Sequence, residues 1–194
     1  MESLRALTEL LFRAKFNWDM QSRNLQGYEI KLAEVPEEIQ GASEVRNAVY
    51  VKETGWEHET DQDEHDGQSI FIIAKRSGTY VGCLRLILRG SAIDPNSIEI
   101  SRLCILKEHR GDKSLIIGMY LTAQIILSTK FNADEAVFIT KPALANSIGL
   151  VLGRITRLGT VKEHKGLRAP YRIRFKPPVS PGLRKIYETI QSSM

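Results

Sequence analysis

The sequence predicts an α/β domain with a mixed central sheet and helices on its faces, and three observations carry that expectation. Strand-like and helix-like patterns alternate along most of the chain. Two apolar strands, Ser69 to Lys75 and Thr79 to Leu88, are separated only by Arg76-Ser77-Gly78 and so form an antiparallel hairpin. A long apolar helix, about Leu115 to Thr129, runs straight into another strand, Glu135 to Thr140.

The remaining elements follow in order. Leu4, Leu7, Leu11, Ala14 and Trp18 recur at helical spacing behind Ser3, which predicts an amphipathic helix over about residues 3–20, packed on the domain as an N-terminal extension. Gly27 to Ala33 alternates as a strand, and Pro36-Glu37-Glu38 starts a helix expected to reach about Val51. Glu53 to Gly67 has no periodicity and reads as a long acidic loop, a feature that is more often functional than idle. Ile98 to Leu106 is a third apolar strand, and His109-Arg110-Gly111-Asp112-Lys113-Ser114 opens the long helix. Pro142 to Leu152 predicts a shorter helix, Val161 to His164 and Tyr171 to Phe175 two closing strands, and Pro181 to Ile190 a last amphipathic helix.

A length of 194 residues buries one sizeable core, so residues 1–194 are expected to form a single domain, with residues 1–24 as the helical extension. The apolar runs at Leu115 to Leu127 and Ile148 to Leu152 fall short of a membrane span, which takes about 20 apolar residues. The early Glu2 and amphipathic start do not read as a secretory signal. Cys83 and Cys104, the two cysteines, sit in apolar segments and predict no disulfide framework, so a reducing, cytoplasmic setting is expected.

The formal net charge of +4 conceals an asymmetry: residues 44–68 hold eight acids against two bases, and residues 141–194 hold eleven bases against two acids. The acidic loop suits a cationic small molecule or solvent, and the basic third an acidic protein, a phosphate-bearing cofactor or an anionic macromolecule. Nucleic acid is disfavoured: Arg168, Arg172, Arg174 and Lys176 are spread along strand-like stretches, and no zinc spacing, aromatic RNA-binding motif or recognition helix is present. The run Asp61-Gln62-Asp63-Glu64-His65-Asp66-Gly67 resembles the start of a calcium loop, but the position that should supply a bidentate Glu is Ile72. His58 and His65 lack further ligands at zinc spacing, so no metal is expected.

Five motifs stand in one order: Arg46-Asn47-Ala48-Val49-Tyr50; Trp56; Asp63 with Asp66; Gly82-Cys83-Leu84-Arg85-Leu86; and Glu99-Ile100-Ser101-Arg102. In that series the chain resembles the acyl-homoserine lactone synthases and their relatives, the long-chain N-acyl amino acid synthases, most of all the N-acyl tyrosine synthase type. The resemblance covers about residues 44–106 and implies a GNAT-like acyltransferase fold. It implies that Arg46, Trp56, Asp63, Asp66, Arg85, Glu99 and Arg102 shape the acceptor and acyl pockets. The family's Phe positions after Arg46 and Arg102 are here Tyr50 and Leu103, a mild departure that counts against S-adenosylmethionine as the acceptor.

The chemistry of the residues agrees. An amino acid presents an ammonium, which Asp63 or Asp66 would meet, and a carboxylate, which Arg46, Arg85 or Arg102 would meet. Attack on a thioester needs a neutral amine, hence a base acting directly or through one water. Glu99 is the candidate, its alternative being a structural carboxylate paired with Arg102 or Arg85. In GNAT-like folds a backbone N–H on the following strand, here within Leu103, Cys104 and Ile105, meets the oxyanion. Cys104 reads as a small core residue rather than a nucleophile, since no His is placed to activate it.

Coenzyme A-dependent GNAT enzymes carry a Gly-rich turn that holds pyrophosphate at a helix N-terminus. Arg110, Gly111, Lys113 and Ser114 occupy that place with Lys113 where Gly is expected, a turn suited to the single phosphate of a phosphopantetheine arm. Together with the basic C-terminal third, this favours an acidic acyl carrier protein as donor and no tightly bound cofactor. One side of the long helix is expected to line an acyl tunnel with Phe71, Phe138 and Leu150, each buried methylene contributing about 0.8 kcal/mol. The leading expectation is transfer of a long-chain fatty acyl group from acyl carrier protein to a free amino acid, plausibly tyrosine. The alternatives are a lactone synthase using S-adenosylmethionine and a GNAT-fold binding module without catalysis.

Overall fold

In a computed structural model, the structure describes residues 24–25, 27–55, 62–160, 162–163, 167–177, 184, 187–188 and 191. The predicted N-terminal helix and Trp56 lie outside the described residues, and Asn24 already belongs to the first strand, β1 (Asn24–Leu25). β2 (Tyr28–Leu32) leads to α1 (Pro36–Arg46), which starts on its proline as expected. The hairpin β3 (Ser69–Arg76) and β4 (Thr79–Ile87) is followed by β5 (Glu99–Ile105) and the apolar helix α2 (Lys113–Lys130). β6 (Glu135–Thr140), α3 (Pro142–Leu152), β7 (Gly153–Arg157), β8 (Lys162–Glu163) and β9 (Leu167–Phe175) complete the order.

The strands form one mixed sheet ordered β1-β2-β3-β4-β5-β6-β9-β7, with β8 paired to β9, and β5–β6 is its parallel step. Strand alternation divides the core in two. Ile72, Leu84, Leu86 and Ile100 face α2 and α3 with Leu115, Met119 and Phe138. Phe71, Ile73, Cys83 and Cys104 face α1, against Ala42, Val45, Val49 and Tyr50. α2 is buried on most of its circumference because the sheet and α3 enclose it. The Asp112 carboxylate caps its start by accepting the Ser114 N–H at 3.0 Å, and its end is closed by Ala133 N–H to Leu127 O at 2.9 Å beside Asn132 at φ 49°.

Four local departures from the sequence reading have physical causes. The helix expected to reach Val51 changes at Asn47 to a π-helix, Asn47–Glu53, whose wider turn buries the successive residues Val49 and Tyr50 together. β7 was not foreseen: it begins directly at the end of α3, and its entry requires Gly153, φ 142°, where a Cβ would sit 2.2 Å from the Arg174 carbonyl oxygen. β9 starts at Leu167, ahead of the expected Tyr171, and runs through Pro170; the proline stays in register opposite Ile139 while its carbonyl accepts the Leu158 N–H at 2.9 Å. The predicted loop from Glu53 to Gly67 ends in a 3-10 turn, Asp66–Gln68, and its residues 56–61 lie outside the described residues. Of the predicted last helix, residues 184 and 187–188 are helical and most of the rest lies outside the described residues.

Candidate active site

The site grows from two irregularities of β5. Its pairing to β4 passes from Cys83–Cys104 to Arg85–Ser101, so three steps on β5 oppose two on β4. This bulge holds Arg102 at φ 51°, a conformation that a non-glycine residue adopts only when its surroundings demand it. On its other edge β5 has a single register pair with β6, Glu99–Val137, beyond which the strands part. A cavity of about 330 Å³ fills the gap. Its walls are Val49 and Tyr50 from the π-helix and Thr54 just after it, Leu84 from β4, Ile100 to Ile105 from β5, Tyr120 from α2 and Phe138 to Thr140 from β6, with Arg110, Lys141, Leu144 and Arg168 around them. Leu103, Cys104 and Ile105, expected to supply oxyanion donors, thus border the space where β5 has lost its ladder.

Beside the cavity, on the α1 face, five of the predicted residues come together. Arg46 donates to both oxygens of Asp66, 3.1 Å each. Arg85 donates to Asp63 at 2.6 Å, to Asp66 at 2.7 Å and, through Nε, to the Ser101 hydroxyl at 3.1 Å. Arg102 donates to the second Asp63 oxygen at 3.2 Å, with its guanidinium 5.3 Å from the centre of the Tyr50 ring. Arg46 and Arg85 are buried, and the guanidinium of Arg46 also lies over the Phe71 ring. Arg102, alone of the three arginines, also lines the cavity. The acids therefore serve first as partners of the arginines, and among the described residues the cluster joins Arg46, Arg85 and Arg102 to Asp63 and Asp66.

Burial works against the charge on Asp63, but hydrogen bonds and attraction from Arg85, the His65 N–H and Arg102 outweigh it and hold its carboxyl below the usual range. Its stabilisation is therefore complete above the unfolded value, about pH 4, and is lost as pH falls through the lower folded value. Asp63→Asn is expected to flatten the fall of the urea midpoint below about pH 4. An acid limb identical to that of the unaltered protein would show that Asp63 is not tied to the arginines in solution.

Glu99 stands apart from the arginines. Its Oε2 accepts the Ser91 hydroxyl at 2.7 Å, so the structural pairing with Arg102 or Arg85 weighed from the sequence is replaced by Ser91. The carboxylate does not itself line the cavity. It is two residues from Ser101, which does, on the same face of β5 and about 7 Å along the strand.

The donor turn also differs from expectation. Arg110 lines the cavity, but its guanidinium is bound bidentately to Glu53 at the end of the π-helix, one bond at 2.6 Å, and its Nε donates to the Ile105 carbonyl at 2.9 Å. At the start of α2 the chain's own Asp112 takes both the Ser114 N–H and the Ser114 hydroxyl. Gly111, Lys113 and Ser114 do not border the cavity. Two residues of the expected acyl tunnel are corrected: Phe71 lies on the opposite face of the sheet under Arg46, and Leu150 is 41% exposed on α3. Phe138 does line the cavity, stacked on Tyr171. Burial pushes the Tyr120 hydroxyl in the cavity wall far up, so it remains a neutral donor.

The sequence reading passed over Tyr50, Ser91 and Ser101. Tyr50, noted only as a departure from Phe, donates its hydroxyl to the Leu103 carbonyl at 3.1 Å and so ties the π-helix to the bulge. Ser101 sits inside the Glu-Ile-Ser-Arg motif and was legible there; Ser91, in an ordinary Gly-Ser-Ala loop, had no signal.

The acetyltransferase (GNAT) family profile matches residues 34–113, the stretch from α1 to the start of α2 that carries the bulge and the charge cluster. Fold and matched segment agree on the class of fold: the chain has the GNAT-type acyltransferase fold. Among solved structures, the AHL synthase LasI is 18% identical over 80% of this chain and 94% of its own, with a TM-score of 0.63. BjaI, a CoA-dependent acyl-homoserine lactone synthase solved with SAM and isopentyl-CoA, is 15% identical over 81% and 82%, with a TM-score of 0.61. FeeM, an N-acyl amino acid synthase from uncultured soil microbes, is 11% identical over 76% and 90%, with a TM-score of 0.58. At these identities the likeness is one of fold. Among the described residues no helix is long and apolar enough to cross a membrane.

Proposed function

We propose that the protein moves a long-chain fatty acyl group from the thioester of an acyl carrier protein to the amino group of a free amino acid, with tyrosine the expected acceptor. The observation that carries this reading is Arg102. It belongs both to the arginine–aspartate cluster and to the cavity wall, so a carboxylate entering the cavity would meet a guanidinium that Asp63 already holds in place. Tyrosine itself rests on the resemblance of the five motifs.

In this reading Glu99 takes a proton from the acceptor ammonium through one water. The neutral nitrogen attacks the thioester carbon, a C–N bond forms, and the oxyanion accepts backbone N–H groups of the Leu103 to Ile105 stretch. The C–S bond then breaks, and the departing thiolate takes up the second amine proton. The cavity, with Phe138, Leu84 and Ile100 in its walls, receives the acyl chain.

Two features favour a carrier protein over coenzyme A. Asp112 puts a carboxylate where a pyrophosphate would need the helix N-terminus, and Arg110 is committed to Glu53. Lys141, Ile139 and Leu144 are exposed at the cavity, a basic and apolar surface that suits an acidic protein. The test offers decanoyl carrier protein and decanoyl-CoA separately with each of the twenty amino acids and with S-adenosylmethionine, and reads products by mass spectrometry. Acylated amino acid, formed faster from the carrier protein, is expected. A lactone product, or no acylated product, overturns the proposal; equal rates from both donors overturn its carrier-protein part.

A further inference from the structure

Glu99 is fixed from a loop that the motif series does not touch. Residues 88–98 join β4 to β5 and are bonded tightly to themselves and to the sheet. Leu88 donates to the Gln68 carbonyl at 3.2 Å, and Gly90, at φ 76°, donates to Pro95 at 3.4 Å. The Asp94 carboxylate accepts the Asn96 N–H at 3.1 Å and the Ser97 hydroxyl at 2.7 Å, then the Arg172 guanidinium of β9 at 2.7 Å. These bonds hold the Asp94 carboxyl below its usual range, the Ser97 hydroxyl foremost. The loop is therefore a strap anchored at both strands it joins and, through Arg172, on the far side of β6.

Ser91 lies inside this strap, 1% exposed. A serine hydroxyl has one proton and two lone pairs. The Ile93 N–H, at 3.1 Å, takes a lone pair of Ser91 Oγ, and the Glu99 carboxylate, which can only accept, takes the proton at 2.7 Å. The direction of both bonds is thereby set. Among the described residues the hydrogen bonding of Glu99 is confined to Oε2, which leaves Oε1 with its lone pairs unengaged by the protein.

We propose that Ser91 is a positioning residue for the acyl transfer: it anchors Oε2 of Glu99 and so presents Oε1, at the point where β5 and β6 part, as the atom that receives the acceptor's proton. The inference rests on the reading of Glu99 as base. What Ser91 contributes is orientation. Without it, a flexible Glu side chain samples rotamers whose carboxylate is displaced by an ångström or more, and displacement of that size costs about 10²-fold in a positioned reaction.

The experiment is a double-mutant cycle on the full chain with Ser91→Ala, Glu99→Gln and both together, using whichever donor and amino acid turn over fastest in the panel above. Ser91→Ala is expected to lower kcat about 10- to 100-fold with KM little changed. It should have no further effect in the Glu99→Gln background, and Ser91→Thr, which keeps the hydroxyl, should restore most of the rate. An independent readout needs no turnover: in infrared difference spectra taken against Glu99→Gln, the Glu99 carboxylate band should move in Ser91→Ala and return in Ser91→Thr. Full activity in Glu99→Gln overturns the base reading and the positioning role with it. A crippled Glu99→Gln beside an unimpaired Ser91→Ala overturns the Ser91 inference alone. So does an equal loss from Ser91→Ala in both backgrounds, or a carboxylate band that does not move.

Discussion

Glu99→Gln is expected to lower kcat by about 10²- to 10⁴-fold while KM for donor and acceptor stays within about threefold. The substitution keeps the shape of the side chain and leaves an amide oxygen to accept the Ser91 hydroxyl, so the strap over residues 88–98 and the Glu99–Val137 pairing should survive. What disappears is the proton acceptor. Above the ionisation of the acceptor's own amine, free amine exists without help, so the deficit should shrink as pH rises. A structural carboxylate predicts the reverse pattern: a lower denaturation midpoint, a rate close to that of the unaltered protein and no change in the pH profile. Steady-state rates over a range of alkaline pH, with urea midpoints measured in parallel, separate the two.

The fold was legible because its strongest patterns are local. The Arg76-Ser77-Gly78 turn between apolar runs dictates the β3–β4 hairpin, and Pro36 and Pro142 mark helix starts that the structure places at those residues. The cluster was legible only as a list of members, through the order of five motifs. That Arg46 and Arg85 share Asp66, and that Arg85 and Arg102 share Asp63, depends on β4, β5, α1 and the acidic loop meeting in space. Alternation along β3 shows that Phe71 and Ile72 face opposite ways, but not which side holds the cavity, which is how Phe71 came to be assigned to the acyl chain. Arg102 at positive φ runs against every local preference for that residue, so the bulge that aims it had no signature in the sequence. The tie between Arg110 and Glu53 likewise joins residues on separate elements, and a basic turn read alone looks available for phosphate.

Arg85→Ala should cost both stability and activity, and the two losses have separable origins. The Arg85 side chain is 4% exposed and, among the described residues, is the one cation bonded to both Asp63 and Asp66. Its removal leaves two carboxylates on one loop facing each other across the space it filled. Breaking a buried ion pair from one side costs about 3 to 5 kcal/mol. Here Asp66 keeps Arg46, Asp63 keeps Arg102, and both acids are partly exposed, so the loss should fall to about 2 to 3 kcal/mol, read as a lower urea midpoint. The functional loss comes from Arg102. With Arg85 gone, Asp63 depends on Arg102 for its ion pair and draws that guanidinium away from the cavity, so KM for the amino acid should rise tenfold or more, by about 1.4 kcal/mol of lost binding, before any change in the acyl step. Asp63→Asn with Arg85→Ala removes the competing acid and should return part of that KM. If the double variant instead binds the amino acid as poorly as Arg85→Ala alone, Arg102 is not the residue that meets the acceptor's carboxylate, and Arg85 would have to meet it directly.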